Sequence, residues 1–341
     1  MTTLAVPAGP DDITSSWVGN VLGRAVRIGP VKRIGEDYGF ASELYAVEAS
    51  NGVVERLIVK LWDTASRAAM RELRFFEELA DDCPISIPVF RSGGVDLDNG
   101  RAFLLVDELR DVRQGDVSKL ESRGSLMRLA RDLARLHSRW WASSELAERS
   151  WLIDMRSSER AEDWFASRSA MFLERFGALS DPAANAVFAN AIRAHALAND
   201  VLRSAPPTLL HGDHHLDNIM FRTDGTPVFL DWAGVGRGPG VLDVVNLAFR
   251  MGHVGDTQPA LDAYFVTLQA SGVRIDKDAW LATVSAALLR QFITWTLGMA
   301  AVHMPTERGA ALVLPSIAQA EAAIANWYES HPGPIDEVIG S

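Results

Sequence analysis

At 341 residues, with 48% hydrophobic and 23% charged side chains, the chain is long enough to bury a large core and to form two domains. Its net charge of −11 argues against non-specific nucleic-acid binding, which requires Lys and Arg to neutralise phosphates; an acidic surface mainly keeps such a protein soluble. Cys83 is the only cysteine, so no intrachain disulfide can form, and Met1–Asp12 lacks the basic and apolar regions of a signal peptide. The expectation is a cytoplasmic protein with neither a nucleic-acid nor a membrane partner.

Residues 1–23 lack strong periodicity and read as an irregular arm or a short helix packing on a later domain. From 24 to 110 the pattern is rich in strands. Ala25–Ile34, Ser42–Ala49, Arg56–Trp62, Val89–Gly93 and Arg101–Val106 are candidate strands, and Thr64–Leu79 has helical spacing through Ala68, Leu73, Phe76 and Leu79. Between the first two strands, Gly35-Glu36-Asp37-Tyr38-Gly39-Phe40-Ala41-Ser42 is a turn with enough glycine to let backbone approach a ligand. Residues 111–117 read as a linker. Beyond it the character turns helical, starting with Leu126, Leu129, Leu133, Leu136 and Trp140 at intervals of three or four. Helical patterns follow near 158–178, 183–203, 241–251, 258–271, 278–303 and 309–330. A lobe over 118–332 and a tail over 333–341 complete the division. The most apolar stretch, Ala286–Met304, contains Arg290 and Gln291 and reads as a buried helix. The fold class is α+β: a small strand-rich lobe, then a larger helical one.

The stretch that carries chemistry is Leu209–Trp232, LLHGDHHLDNIMFRTDGTPVFLDW. A polar knot leads into a short apolar run, then a Thr-Asp-Gly-Thr-Pro turn, then a second apolar run ending on Asp231. A hairpin here brings Asn218 and Asp231 together, with Asp213 in the loop just before. Carboxylate and amide oxygens suit a hard cation, and a further carboxylate can accept a proton. Asp213, Asn218 and Asp231 follow the spacing of the kinase catalytic loop and its metal-binding hairpin.

These residues resemble the aminoglycoside phosphotransferase and choline kinase superfamily, whose motif is His-Gly-Asp, four residues, Asn, then an Asp on the next strand. The segment GEDYGFASELYAV (residues 35–47) and Phe221 look like the ecdysteroid-kinase-like branch. Asp231-Trp232-Ala233 departs from that branch, which often has Gln after Asp-Trp. The resemblance covers about 24–250 and implies a two-lobed protein-kinase-like fold, with ATP (or GTP) and magnesium in a cleft near 107–111. It implies transfer of the γ-phosphoryl group to a hydroxyl of a small molecule. Lys60 then contacts the α- and β-phosphates and Glu72 holds its ammonium, although Glu77 and Glu78 share that helix. Backbone around Gly35 and Gly39, with the Ser42 hydroxyl, contacts phosphate. Backbone of Asp107, Glu108 and Leu109 binds adenine. Asp213 orients the acceptor hydroxyl or takes its proton, and Asn218 and Asp231 hold magnesium. His211 and Asp243 read as scaffold of the catalytic loop, and His215 as a residue near the phosphates. His214 stands where the superfamily is often apolar, and Asp217 is unusual beside Asn218.

Three other readings compete. The histidine cluster suggests a metallohydrolase, but Leu209 stands where a His-x-His-x-Asp-His pattern needs histidine, and His195 and His253 lack supporting acids. Gly234–Gly240 suggests dinucleotide binding, but Pro239 breaks one Gly-x-Gly-x-x-Gly frame and Val241 the other; it reads as a flexible loop. A kinase-like module without turnover is opposed by the presence of Lys60, Glu72, Asp213, Asn218 and Asp231. Trp151, Trp164, Trp295 and Trp327 are candidates to line an acceptor pocket, or to serve simply in helix packing.

Overall fold

The structure is a computed structural model. It describes residues 5–35, 42–116, 119, 121–157, 162–178, 180, 182–251, 254–300 and 317–329 except 319, 323 and 326. In chain order the elements are α1 (Ser15–Leu22), β1 (Arg27–Ile28), β2 (Lys32–Ile34), β3 (Glu43–Ser50), β4 (Val54–Trp62), α2 (Arg67–Glu78), β5 (Phe90–Asp96), β6 (Arg101–Asp107) and β7 (Val112–Gln114). Then come α3 (Arg123–Arg139), α4 (Ser144–Ala147), β8 (Ile153–Asp154), α5 (Glu162–Phe176), α6 (Pro182–Ala189), α7 (Ala191–Ser204) and β9 (Pro207–Leu210). β10 (Ile219–Arg222), β11 (Pro227–Phe229), β12 (Gly236–Pro239), α8 (Val241–Met251), α9 (Thr257–Ala270) and α10 (Lys277–Ala300) complete the series. The chain divides into two compact units, Met1–Gly115 with Leu216–Val235, and Asp116–His215 with Gly236–Ser341.

The first unit is built on a sheet in the order β1-β3-β4-β6-β5, with β2 also paired to β3. Its long central strands follow from alternation: in β4, Leu57, Val59 and Leu61 are buried on one face. The single strand expected over 25–34 is two short ones. Gly29-Pro30 divides them, and proline has no amide for the ladder. The N-terminal arm contains helix α1, capped by the Thr14 side chain accepting from the Trp17 amide. Trp17 packs edge-on to Phe103 of β6, with centroids 5.0 Å apart. The arm therefore seals one side of this sheet's core rather than reaching a later domain.

Helix α2 starts at the Ser66 cap and buries Ala69, Glu72, Leu73, Phe75 and Phe76. Ala69, not Ala68, leads the buried stripe. Glu77 and Glu78 are exposed, so Glu72 alone of the three acids faces inward. The expected linker contains strand β7, which pairs with β10. This pairing groups the hairpin of residues 216–235 with the first unit, whereas its sequence position suggested the helical lobe.

The second unit is mainly helical. Leu126, Leu129, Leu133, Leu136 and Trp140 are all buried along and just after α3, as their spacing requires. The pattern near 183–203 is two helices, α6 and α7, separated at Asn190. Helix α10 carries the described part of the apolar stretch, residues 286–300, and among the described residues no helix is long and apolar enough to cross a membrane.

The glycine-rich segment after Asp231 is not a flexible loop. Gly236–Pro239 forms β12, antiparallel to β9 and parallel to β8. Its glycines permit close approach. A Cβ at Gly236 would lie 2.7 Å from the Ile153 carbonyl oxygen, and one at Gly240 would lie 2.6 Å from His137 Nδ1 and against the Tyr264 hydroxyl. This sheet fixes both ends of the segment that carries Asp213: β9 ends at Leu210, and β12 leads into α8 with Asp243 in its first turn.

Candidate active site

In the first unit the chemistry converges on Lys60. It lies on β4 beside buried Val59 and Leu61, and its side chain is 12% exposed. Its ammonium donates to Glu72 Oε2 at 2.7 Å and lies 3.3 Å from Asp231 Oδ1. It also sits 5.0 Å from the Trp62 ring centroid. Burial pulls the ammonium down, but the Glu72 and Asp231 carboxylates outweigh it and raise it above the ordinary lysine value. Burial pushes the Glu72 carboxyl up to about 7, against the pull of Lys60. A buried charge of this kind persists only when paired, and here it has two partners.

Asp231 is held in an uncommon conformation, φ 54°, the left-handed region that non-glycine residues seldom adopt. Its neighbours account for that. On one side the Leu230 amide donates to the Asn218 carbonyl at 2.8 Å. On the other, Trp232 stacks on Phe75 of α2, with centroids 3.7 Å apart and planes 5° from parallel. The Trp232 backbone hydrogen-bonds Glu72, and Arg71 Nε donates to the Ala233 carbonyl at 3.0 Å. Helix α2 thus grips two successive residues, Trp232 and Ala233. Nothing in the sequence marked Arg71, Phe75 and Trp232 for this, since the contacts join residues about 160 apart.

The hairpin register Ile219–Phe229, Met220–Val228 and Phe221–Pro227 brings Asn218 and Asp231 to the same end. One carboxylate and one amide oxygen, with the Asp231 side chain 39% exposed, are a donor set that fits magnesium shared with phosphate oxygens.

The remaining sequence candidates of this unit lie nearby in the sheet. Gly35 has φ 69° and follows the last β2–β3 pair, Ile34–Leu44, while Ser42 precedes β3. Gly39 lies outside the described residues. The Asp107 amide donates to the Val89 carbonyl at 2.9 Å and the Glu108 amide to the Arg56 carbonyl at 3.0 Å. The Asp107 carboxylate takes two bonds from Arg91, at 2.6 and 3.0 Å. In the stretch whose backbone was expected to bind adenine, the Asp107 and Glu108 amides are therefore occupied by sheet backbone, and the Leu109 amide has no such tie among the described residues. The Asp217 carbonyl accepts from Gln114 Nε2 at 2.9 Å, which ties that residue to β7.

In the second unit the loop after β9 is organised by Asp243. Its Oδ2 accepts from the His211 amide at 2.8 Å and its Oδ1 from the Gly212 amide at 3.3 Å. His137 Nε2, from α3, lies 3.3 Å from Oδ2. His137 is fixed in turn by the Tyr264 hydroxyl on Nδ1 at 2.8 Å, and its carbonyl accepts from the Thr208 hydroxyl at 2.6 Å. Burial opposes ionisation of Asp243, but the surrounding His214 and His137 imidazoles outweigh it and hold the carboxyl well below the usual range. His211 and His214 are fully buried, and His214 Nε2 meets the Asp243 carbonyl at 2.7 Å. Of the histidines in this stretch, His211 and His214 are therefore tied to Asp243 rather than turned toward solvent. By contrast Asp213 has a side chain 54% exposed, with His215 Nε2 3.9 Å from its Oδ1. Tyr264 and Thr208 had no distinguishing sequence signal. Trp327 is buried, donating to Ser285 Oγ at 2.9 Å, and so serves packing.

A paired buried lysine with oxygen donors at a hairpin end in the first unit, and an exposed carboxylate in the second, are residue types that a phosphotransferase of the kinase-like fold would use. The chain belongs to the phosphotransferase enzyme family, whose model matches residues 31–296. Among solved structures it resembles a choline/ethanolamine kinase family protein from Mesorhizobium loti at 16% identity and TM-score 0.53, covering 92% of this chain and 93% of that one. It also resembles choline kinase LicA from Streptococcus pneumoniae at 13% identity and TM-score 0.52, covering 91% and 98%. A third is the GDP complex of aminoglycoside 2′-phosphotransferase-IIIa, at 16% identity and TM-score 0.54, covering 88% and 93%. No curated protein sequence matches the chain. The ecdysteroid-kinase-like branch receives no separate support from these likenesses.

Proposed function

We propose that the chain transfers the γ-phosphoryl group of ATP, with magnesium, to a hydroxyl of a small molecule. The observation that carries this reading is the buried Lys60–Glu72 pair with Asp231 also on the lysine. A charge held this way is placed to meet nucleotide phosphate when Asp231 turns to a metal. Lys60 binds the α- and β-phosphates. Asn218 and Asp231 hold magnesium, which neutralises charge developing on the transferred group. Gly35 and Ser42 contribute backbone and hydroxyl donors to phosphate, and the Leu109 amide donates to the base. The acceptor oxygen attacks phosphorus, the bond to the bridging oxygen breaks, and ADP leaves with the electron pair. Asp213, exposed beyond its anchored loop, orients that hydroxyl and takes its proton. Most of the acceleration comes from positioning and charge neutralisation, which few side chains can supply.

The test is ADP release from ATP and magnesium across a panel of hydroxyl compounds, including aminoglycosides, macrolides and choline-like amino alcohols. A parallel series with GTP decides the donor. Acceptor-dependent ADP release that disappears in Asp213→Asn is expected. Tight ATP binding with no turnover on any acceptor would favour a silent nucleotide-binding module.

A further inference from the structure

His214 is the residue the reading so far leaves without a task. It adjoins Asp213, it is completely buried, and an apolar side chain would fill its place at less cost to folding. Its Nε2 meets a carbonyl oxygen, that of Asp243, at 2.7 Å, so Nε2 must carry the proton. In the neutral ring Nδ1 is then bare. It is buried without a hydrogen-bond partner, 3.6 Å from Asp243 Oδ1. That same Oδ1 is the oxygen that the Gly212 amide reaches at a long 3.3 Å, whereas the His211 bond to Oδ2 is a short 2.8 Å. Three of the four residues His211, Gly212, Asp213 and His214 are thus tied to Asp243, and only Asp213 projects.

We propose that His214 is a positioning residue for Asp213: its Nε2–H fixes the chain after Asp213 to the Asp243 carbonyl, and a proton on Nδ1 draws Oδ1 away from the Gly212 amide that fixes the chain before it. The proposal rests on the phosphotransferase reading for its catalytic consequence, not for the hydrogen-bond exchange itself. Neutral His214 leaves both ties in place. Protonated His214 gains a charge-assisted bond to Oδ1, stronger than the long bond it displaces, and frees the residue directly before Asp213. The charged and titratable groups facing the ring are Asp243 and Arg250 from α8, with Asp213 and His211 from the loop itself. His137 from α3 and Tyr264 from α9 meet Asp243 from its other side. Burial, with Arg250, outweighs the pull of Asp243 and Asp213 and holds the ring below the ordinary imidazole value, so the exchange belongs to pH below that value.

Two variants separate donor from proton. His214→Gln keeps an amide donor for the Asp243 carbonyl and cannot titrate. His214→Leu keeps volume and loses the donor. With ATP, magnesium and an accepted hydroxyl compound, His214→Leu should lower kcat about tenfold with KM for ATP unchanged, and Gln should restore most of it. As pH falls from 8 the wild type should lose more kcat than His214→Gln, because the limb set by Glu72 is common to both and the step set by the His214 ring is absent from Gln. Equal kcat in Leu and wild type, or superimposable pH profiles in wild type and Gln, overturns the proposal. A second measurement needs no turnover: the Gly212 amide resonance of 15N-labelled wild-type protein should shift with the midpoint of the His214 ring, and should not shift in His214→Gln. An amide that ignores the ring overturns the proposal whatever the activity. An amide that follows the ring in a protein that phosphorylates nothing overturns the proposed function and leaves the exchange standing.

Discussion

Removing the Asp243 carboxylate tests the organisation of the second unit most directly. In Asp243→Ala, the His211 amide and His137 Nε2 lose their acceptor in a site closed to water, while the half-buried Gly212 amide can recover a water. Each buried donor left unmade costs about 1–3 kcal/mol, so the expected loss is about 4 kcal/mol. Asp243→Asn keeps one oxygen. Turned toward His211 and His137, that oxygen accepts both, and its NH2 faces Gly212 and the bare His214 Nδ1. Only the Gly212 bond is then lost outright while two charge-assisted bonds become neutral, for about 2 kcal/mol. Urea unfolding followed by far-UV circular dichroism, to which the helices of this unit contribute strongly, reads both values. The gap between wild type and Asn should also depend on pH. The native Asp243 carboxyl is held below its ordinary value of 3.8, so its contribution is present above that value and fades as pH falls through it. A loss under about 1 kcal/mol for Ala, or a gap that does not narrow in acid, would refute the view that this carboxylate anchors the loop.

Asp213→Asn should bind ATP as wild type does and lose at least about a hundredfold in phosphoryl transfer; undiminished turnover in a coupled ADP assay would sink the proton-acceptor role. Asp231→Ala should remove the magnesium dependence of ATP binding in titration calorimetry, and a variant whose affinity still rises with magnesium would place the metal elsewhere. Gly240→Ala should destabilise by about 1–3 kcal/mol, because the methyl meets the His137 ring and the Tyr264 hydroxyl. Gly238→Ala should cost less in the same melt, since its nearest contacts, the movable Leu210 Cδ1 and the Met155 Cβ, both lie at 3.1 Å, farther than the His137 ring lies from Gly240. If the two alanines are equal, close packing at Gly240 is not what selects glycine there.

What could be read from the sequence, and what could not, divides on whether the information is local. The periodic helix α3, the compact apolar strand β4 and the hairpin between Asn218 and Asp231 each lie within a short window, and each is a local element of the structure. The segment Gly234–Gly240 failed because a strand of glycine and proline has no side-chain alternation. Its pairing is specified by β9, which ends 26 residues before β12 begins, and by β8, more than 80 residues earlier. The two-part origin of the first unit was hidden for the same reason. Strand β7 is three residues in what looks like a linker, and it becomes a strand only because β10 returns to it.

The site itself was legible as a set of residue types but not as a set of roles. In sequence, His211 and His215 take expectations only from the resemblance, and His214 takes none. Burial separates them. A fully buried imidazole needs a fixed partner, as His214 Nε2 has in the Asp243 carbonyl, while His215 keeps a partly exposed ring beside Asp213. The same reasoning picks Glu72 from three glutamates on one helix: only an acid on the stripe of Leu73 and Phe76 can be carried inward, and an inward acid requires a cation such as Lys60. Chemistry in this chain is therefore assigned by the cost of burying charge. The groups that stay exposed, Asp213 and Asp231, are the two that the proposed reaction needs free to exchange partners, and every carboxylate or imidazole that braces them is one that folding has already withdrawn from water.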